Sequence, residues 1–515
     1  MSANNLNNVR DKLLNLSNDE KKERKKVRRD YYFYKGRSED KEKAKADKDL
    51  LGQNWEETSN LGYTPTQEVR NKVKPLLKKQ ARFMFGKEPT IVFKAKDISQ
   101  KLKCEELRQF VDDIFADKSN QFWKTTRKAF LESTIKKRVL LRVEANPGEV
   151  IKIKYENIED FSYKEINNML LEVTFFEEEK RNAFVENDEE KLYYVHRYYY
   201  DKLSKNATEV TAMYERKTYL GGDLENPIEE SVEDTGFSTI PCWLIKNGGE
   251  LNEEFGETDL EDLKDIQGNY NRTVSDYRDA LKFEMFGAEA VIDGDENDVN
   301  NFMIAPGALH AVKTDPNALS NGKQATVQRI EYSFSSSGAV NDYLDRSEQD
   351  MNFVLDMPSL KDMNNIPSAK AMKYLYNDLI ARCEEKWGDW QPIFESLIYF
   401  LIEAGSKCYG SLFKAEWESL DFTLVFEHNY PIPSDEEDKK NIAMSEVTTG
   451  VRSKRSYIKD FTDEEDAEQA YKEILEEKSL ESGIESGELQ TKVSTGTKKK
   501  NIDGEEIDEE EEIDE

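Results

Sequence analysis

Hydrophobic residues fall along this chain in blocks whose spacing changes from one element to the next. Val69, Val73, Leu76, Leu77, Ala81 and Phe85 recur at the period of one helix face. That spacing predicts a helix opening near Thr64 or Thr66 and stopping at Gly86, where a C-cap belongs. TIVFK (90–94) reads as a strand, residues 105–135 as a helix, and RVLLRVEA (138–145) as another strand. LLEVTFFEEE, KLYYVHRYYYD and EVTAMYERKTYL alternate with period two, which predicts an antiparallel meander ending near IPCWLIKN. The tyrosines crowded at 193–200 fit cross-strand aromatic pairs in a half-buried sheet better than base stacking.

Downstream the pattern becomes helical and long. Leu260, Leu263, Ile266, Tyr270, Val274, Tyr277 and Leu281 form one apolar stripe. Thr258 with Glu261 reads as a capping box at its start. Asp259, Asp262 and Asp265 crowd the first turns and Lys282 stands at the far end, as the helix dipole favours. The helix spans about 24 residues, or about 36 Å. A smaller insert, 283–335, holds the strand patterns AEAVI, LHAVKT and TVQRIEYSF between Gly, Pro and Asn turns. A second long helix runs from about Ser337 to Asp356, with Val340, Tyr343, Leu344, Val354 and Leu355 at its apolar positions. Pro358 cannot extend it. A third begins at Ser368, an N-cap ahead of Ala371, Met372, Leu375 and Leu379, and is kinked or restarted at Pro392. The intervening SLKDMNNIPS segment is longer than most helix connections. DFTLVFEHNYPIP (421–433) reads as a strand and turn. Two charged helices, 435–449 and 463–477, are separated by SKRSYIKDF, and disorder is expected from about Ser479.

At 515 residues the chain is too long for one core, so at least two domains are expected. Charged residues make up 35% and hydrophobic ones 37%, which suits an elongated body with much surface. The net charge is −31, and the last fifteen residues alone carry ten acids and no base. A tight non-specific nucleic-acid binder would be expected to be basic; a wall past which DNA must slide is a different case, since attraction would hold the polymer in place. KKERKKVRRD (21–30) is read as a solvated helical arm rather than a nucleic-acid patch, docking through YYFYKGR (31–37). Cys104, Cys242, Cys383 and Cys408 have no CxxC spacing and read as reduced thiols of a protein made in the cytosol. The N-terminus has no apolar signal region, and PIFESLIYFLIEAG (392–405) is too short to span a bilayer, so a soluble chain is expected.

The usual marks of catalysis are missing. His196, His310 and His428 are isolated, and no GxxxxGK[ST] loop occurs. DGDENDVNNFMI (293–304) opens like a calcium loop, but Asp298 replaces its glycine and Ile304 its final glutamate. No cofactor or metal is expected, and the chain reads as machinery without an active site.

Four stretches, in order, resemble the SPP1-type portal proteins of tailed bacteriophages. They are QARFMFGKEPTIVF (80–93), FGETDLEDLKDIQGNYNRTVSDYRDAL (255–281), IPSAKAMKYLY (366–376) and VRSKRSYIKDF with DEEDAEQAYKEILEE (451–477). Ala369 and Met372 depart from the Gly and Leu of the third stretch, which touches only local loop geometry. The resemblance covers about residues 60–478 and implies an α+β portal fold assembled as an oligomeric ring of twelve subunits. After a charged arm (1–50), it assigns 51–256 with 392–430 to a wing, and 257–282 and 336–357 to a two-helix stem. It assigns 283–335 to a small β-rich clip, 358–391 to a tunnel loop with the following long helix, 431–482 to a helical crown, and leaves 483–515 as an acidic tail.

The implied function is a DNA channel at one capsid vertex. Double-stranded DNA passes through it during packaging and ejection. The terminase large subunit and later a head-completion adaptor dock on it, and it meets major capsid and scaffolding proteins. By this resemblance the loop residues Ser359, Leu360, Lys361, Asp362, Met363, Asn364 and Asn365 face the channel, between hinges at Pro358, Pro367 and Ser368. Lys361 beside Asp362 leaves the loop almost neutral, so it can brush a phosphate backbone without gripping it. Asp265, Arg272, Asp276, Arg278, Asp342, Asp345, Arg346 and Asp350 lie off the apolar stripes and are candidates for salt bridges that set subunit register. An ordinary solvated face is the alternative for these charges. For the whole chain, a minor head, scaffold or adaptor protein without a channel is the alternative.

Overall fold

The computed structural model describes residues 16–36, 65–166, 169–180, 191–200, 206–215, 226–249, 253–286, 288–300, 312–330, 337–358, 369–410, 412–432, 436–462 and 467–485. The chain divides into two units, Met1–Pro367 with Ala371–Ile432, and Pro433–Glu515 with Ser368–Lys370.

In the first unit, α1 (Asn18–Lys35) is capped by Ser17, whose hydroxyl accepts the Glu20 N–H at 3.1 Å. It stops at Gly36, whose φ of 70° suits a residue without Cβ. This arm is not merely solvated and docked at one end. Val27, Phe33 and Tyr34 are buried, and Arg24 donates to Glu20 at 2.7 Å and to the Phe161 carbonyl at 2.6 Å. Asp30 pairs with Lys264 at 2.8 Å and Glu23 with Lys137 at 2.7 Å.

Helix α2 (Val73–Phe85) starts later than its periodicity suggests, because the preceding residues are extended. It leads to β1 (Thr90–Ala95). The single helix expected over 105–135 is two, α3 (Lys101–Ala116) and α4 (Phe122–Lys136). No Gly or Pro marks the break; Asn120 makes it. Its amide nitrogen donates to the Ile114 and Ile151 carbonyls at 2.8 and 2.9 Å, and its oxygen accepts the Ile153 N–H at 2.9 Å.

The strands β2 (Arg138–Glu144), β3 (Lys152–Asn157), β4 (Phe161–Ile166), β5 (Met169–Lys180), β6 (Lys191–Tyr200), β7 (Ala207–Glu215), β8 (Glu229–Asp234) and β9 (Cys242–Lys246) follow. β4 to β8 form the expected antiparallel meander. It ends one strand earlier than predicted, at β8, whose residues are all exposed and lack apolar alternation. β9 leaves the meander to pair with β2, in a sheet ordered β3-β2-β9. The crowded tyrosines do make cross-strand contacts: Tyr193 stands opposite Tyr214, and Tyr198 meets Phe175 edge-on at 6.0 Å.

Then come α5 (Glu261–Phe286), β10 (Ala288–Ile292), α6 (Glu296–Asn300), α7 (Pro316–Ser320), β11 (Thr326–Ile330) and α8 (Ser337–Val354). β10 and β11 pair as a two-stranded ribbon between the long helices α5 and α8. Of the LHAVKT pattern, residues 309–311 lie outside the described residues, and Thr314 forms an isolated bridge with Gly294. α9 (Ala369–Leu375) and α10 (Asn377–Cys408) follow. Neither a restart nor a break occurs at Pro392, which lies inside α10; the interruption falls at Tyr376 instead. Four residues before Pro392 stands Gly388, so no side chain adds to the crowding there. β12 (Phe422–Glu427) closes the unit by pairing with β1, Ile91 opposite Phe426. α10 supplies the centre of the core, where Trp390 and Phe394 pack on Phe85, Phe122 and Phe130.

The second unit contains α11 (Glu436–Thr448), α12 (Lys454–Phe461) and α13 (Ala467–Glu485). The segment expected to separate two helices is itself a helix, capped by Ser453, whose hydroxyl accepts the Ser456 N–H. α13 also continues past Ser479, where disorder was expected to begin.

Candidate functional site

Ser359, Leu360, Lys361, Asp362, Met363, Asn364, Asn365, Pro367 and Ser368 lie outside the described residues. The structure instead describes the base from which they depart. α8 ends in a left-handed turn at Asp356, with φ 53°. The Met357 N–H reaches the Asn352 carbonyl at 2.9 Å and the Asp356 N–H the Phe353 carbonyl at 3.0 Å. This is the Schellman arrangement, with Asp where glycine is usual. Met357 and Pro358 are buried behind it, so the chain leaves the helix in a fixed direction.

Asp356 also accepts from Arg382 on α10, at 3.2 Å, and Arg382 reaches the Val354 carbonyl at 3.3 Å. The other side of that guanidinium lies 3.4 Å from Asp259, just ahead of α5. Asp259 is buried and accepts from Lys386 at 2.8 Å, Gln80 at 2.9 Å and Asn247 at 3.0 Å. One carboxylate thus ties together the start of α5, the exit of α8 and the face of α10. Burial pushes the Asp259 pKa up, but Lys386 and Arg382 outweigh it and hold it below the ordinary aspartate value. Neither the Asp nor its two cations stood out in a sequence with 105 acids.

The predicted capping box does not form. The Thr258 hydroxyl accepts the Leu260 N–H at 3.3 Å and donates to the Thr134 and Ile135 carbonyls, while Glu261 engages Lys264 at 2.7 Å. Thr258 therefore anchors α5 to the end of α4, and Glu261 lies in the first turn without reaching back.

A second arrangement covers one side of α5. Gln267, Asn271, Ser275 and Asp279, spaced four apart, are all buried. They accept the backbone N–H groups of Lys72, Arg70, Glu68 and Thr66, at 2.9, 2.9, 2.9 and 2.7 Å. Four helical residues rise about 6.0 Å and two extended residues about 6.7 Å, so the two periods almost match. Residues 66–72 lie along α5 as a strap held by side chains. At the strap's end Lys72 also meets Glu348 of α8 at 2.8 Å, and Glu348 accepts from Tyr270 at 2.8 Å. The spacing was visible as polar positions beside the apolar stripe, but their partner segment was read as the start of a helix.

The strap changes the account of the register candidates. Arg278 binds Glu68 within the same chain at 2.8 Å, so it is not a bare charge awaiting a neighbour. Asp265, Asp276, Asp342, Asp345, Arg346 and Asp350 are exposed, and Arg272 is half-buried. Among the described residues no group of three His, Cys, Asp or Glu side chains could hold a metal ion, and no helix is long and apolar enough to cross a membrane.

Two long helices joined through a small β ribbon, set on a mixed sheet-and-helix body, are the build of a phage portal protein, a component of the capsid vertex. The chain belongs to the family described as Phage portal protein, SPP1 Gp6-like, which it matches over residues 13–483. That family is structural rather than catalytic. No curated protein matches the chain. Among solved structures it is similar to the neck of a native GTA particle computed with C12 symmetry, at 8% identity and a TM-score of 0.39, over 75% of this chain and 88% of that one. It is also similar to the neck of an empty GTA particle computed with C6 symmetry, at 10% identity and 0.37, over 78% and 96%. A third is the virion of a native gene transfer agent particle, at 9% identity and 0.38, over 78% and 95%.

Proposed function

We propose that this portal protein closes into a ring of twelve copies and forms the channel through which double-stranded DNA enters and leaves the capsid. The single observation that carries the reading is the match to the portal family across 13–483, which spans both long helices, the ribbon between them and the loop that follows α8. In this reading 257–282 and 336–357 are the stem, 283–335 the clip, 51–256 with 392–430 the wing, and 431–482 the crown. Residues 359–365 line the narrowest part, carried on the Schellman turn at Asp356 and steadied by Asp259 through Arg382. The clip meets the terminase large subunit during packaging and the head-completion adaptor afterwards. Major capsid and scaffolding proteins are further partners.

Images of the purified protein test this. Rings with a central hole wide enough for a duplex are expected, and Asn364→Cys is expected to crosslink between copies. Solid or open-ended particles, or a chain that stays monomeric at high concentration, would overturn the reading.

A further inference from the structure

Between Val69 and Lys87 the chain carries seven bases and no acid, within a protein of net charge −31. Arg70 and Lys72 are engaged by Glu68 and Glu348. Lys74, Lys78 and Arg82 are different. They stand four apart on α2 and so share one outer face, at steps of about 6 Å. Lys78 and Arg82 are exposed, and the half-buried Lys74 holds its ammonium 5.9 Å from the Tyr34 ring. Among the described residues no carboxylate forms an ion pair with any of the three. Lys35 extends the cationic surface at the same corner, with its ammonium 5.0 Å from the Tyr31 ring. Lys79, next along the helix, is half-buried, and burial alone pushes its pKa down. The first turn of α2 contains no acid, so at Lys74 the helix dipole and the ammonium add the same sign of charge, while Arg82 stands in the last turn, where the dipole favours a cation. A bound polyanion relieves the excess at Lys74.

We propose that the Lys74–Lys78–Arg82 face of α2 is a sequence-independent docking surface for the phosphate backbone of duplex DNA, separate from the loop at 358–367. Alternate phosphates of one strand are about 6.8 Å apart along the duplex axis, close to the step between these cations. An extended acidic protein segment could match the same step, and it is the competing occupant that the poly-glutamate comparison tests. The charge of the whole protein opposes a duplex from a distance, so the contact is short-ranged and weak. Three neutralised phosphates give a slope of log K against log salt of about −2.7.

Binding of the full-length protein to a covalently closed circular duplex tests this, because a closed circle cannot thread a closed ring. Binding is expected to weaken roughly 40-fold between 50 and 200 mM salt. The combined Lys74→Glu, Lys78→Glu and Arg82→Glu variant is expected to lose at least tenfold at low salt. Lys78→Gln alone, at an exposed position that does not threaten folding, is expected to make the slope shallower by about 0.9. No binding, binding indifferent to salt or to these changes, or tighter binding of poly-glutamate than of the duplex would each overturn the proposal. Ring images from the same samples report on the channel separately.

Discussion

Asp279 accepts both the backbone N–H and the hydroxyl of Thr66, at 2.7 and 2.6 Å, across 213 positions of sequence. Burial raises the cost of the Asp279 charge, and the Thr66 donors with Lys282 more than offset it, so its pKa lies below the ordinary aspartate value. The contact is the last rung of the ladder that fastens residues 66–72 to α5.

Removing an inner rung should show what the ladder contributes. Asn271→Ala leaves the partly buried Arg70 N–H without its acceptor. A loss of about 1–3 kcal/mol is expected in urea unfolding. Asn271→Leu should cost a similar amount, because the side chain's shape is nearly kept and the acceptor is not.

Asp259→Ala should be more damaging, since it leaves the buried Lys386 without its carboxylate and takes from the half-buried Arg382 one of its two partners. About 3–5 kcal/mol is expected. In the wild type the depressed Asp259 pKa makes its contribution full above the unfolded value near pH 4, and lost as pH falls through the folded value. Thermal melts from pH 5 down to pH 2 should steepen for the wild type relative to Asp259→Asn.

His428 works at milder pH. Burial lowers its pKa, against the opposing pull of Glu384, so the folded state favours the neutral ring. It packs 4.2 Å from Trp387. The unfolded chain binds the proton more readily, so stability should fall as pH drops through about 6.5. His428→Phe should flatten unfolding midpoints measured between pH 7.5 and 5.5; an unchanged slope would show that another group titrates there.

The two ends of the chain should behave oppositely on truncation. Deleting residues 1–36 removes Glu20, whose carboxylate lies 3.6 Å from the fully buried Arg138. That leaves a buried cation short of its counter-charge, and insoluble or unfolded protein is expected. Deleting 486–515 removes a strongly acidic, apolar-poor stretch, and rings should still form in negative stain.

The long helices were legible because several signals agreed on them. In α5 the apolar stripe, the acids at one end and Lys282 near the other all favour the same element. The strands of the meander were legible for the same reason, except β8, whose EESVED carries little alternation. What escaped was set by distant partners. Asn120 divides α3 from α4 by bonding back to the Ile114 carbonyl of α3 and across to the Ile151 carbonyl ahead of β3, a partner that nothing local announces. The strap ahead of Lys72 has helical spacing yet is not helical, because α5 supplies every second N–H with an acceptor. Asp259 is chemically one aspartate among many until Lys386 and Arg382 are brought beside it by α10.

The strap also bears on how genetic data from this protein should be interpreted. Gln267, Asn271, Ser275 and Asp279 look, on a bare helical wheel, like contacts offered to an adjoining subunit. Their acceptor oxygens are already engaged inside the chain that carries them. Defects arising at these four positions would therefore trace to a protomer that folds badly before it meets another copy, and second-site suppressors should arise in residues 65–72 of the same polypeptide.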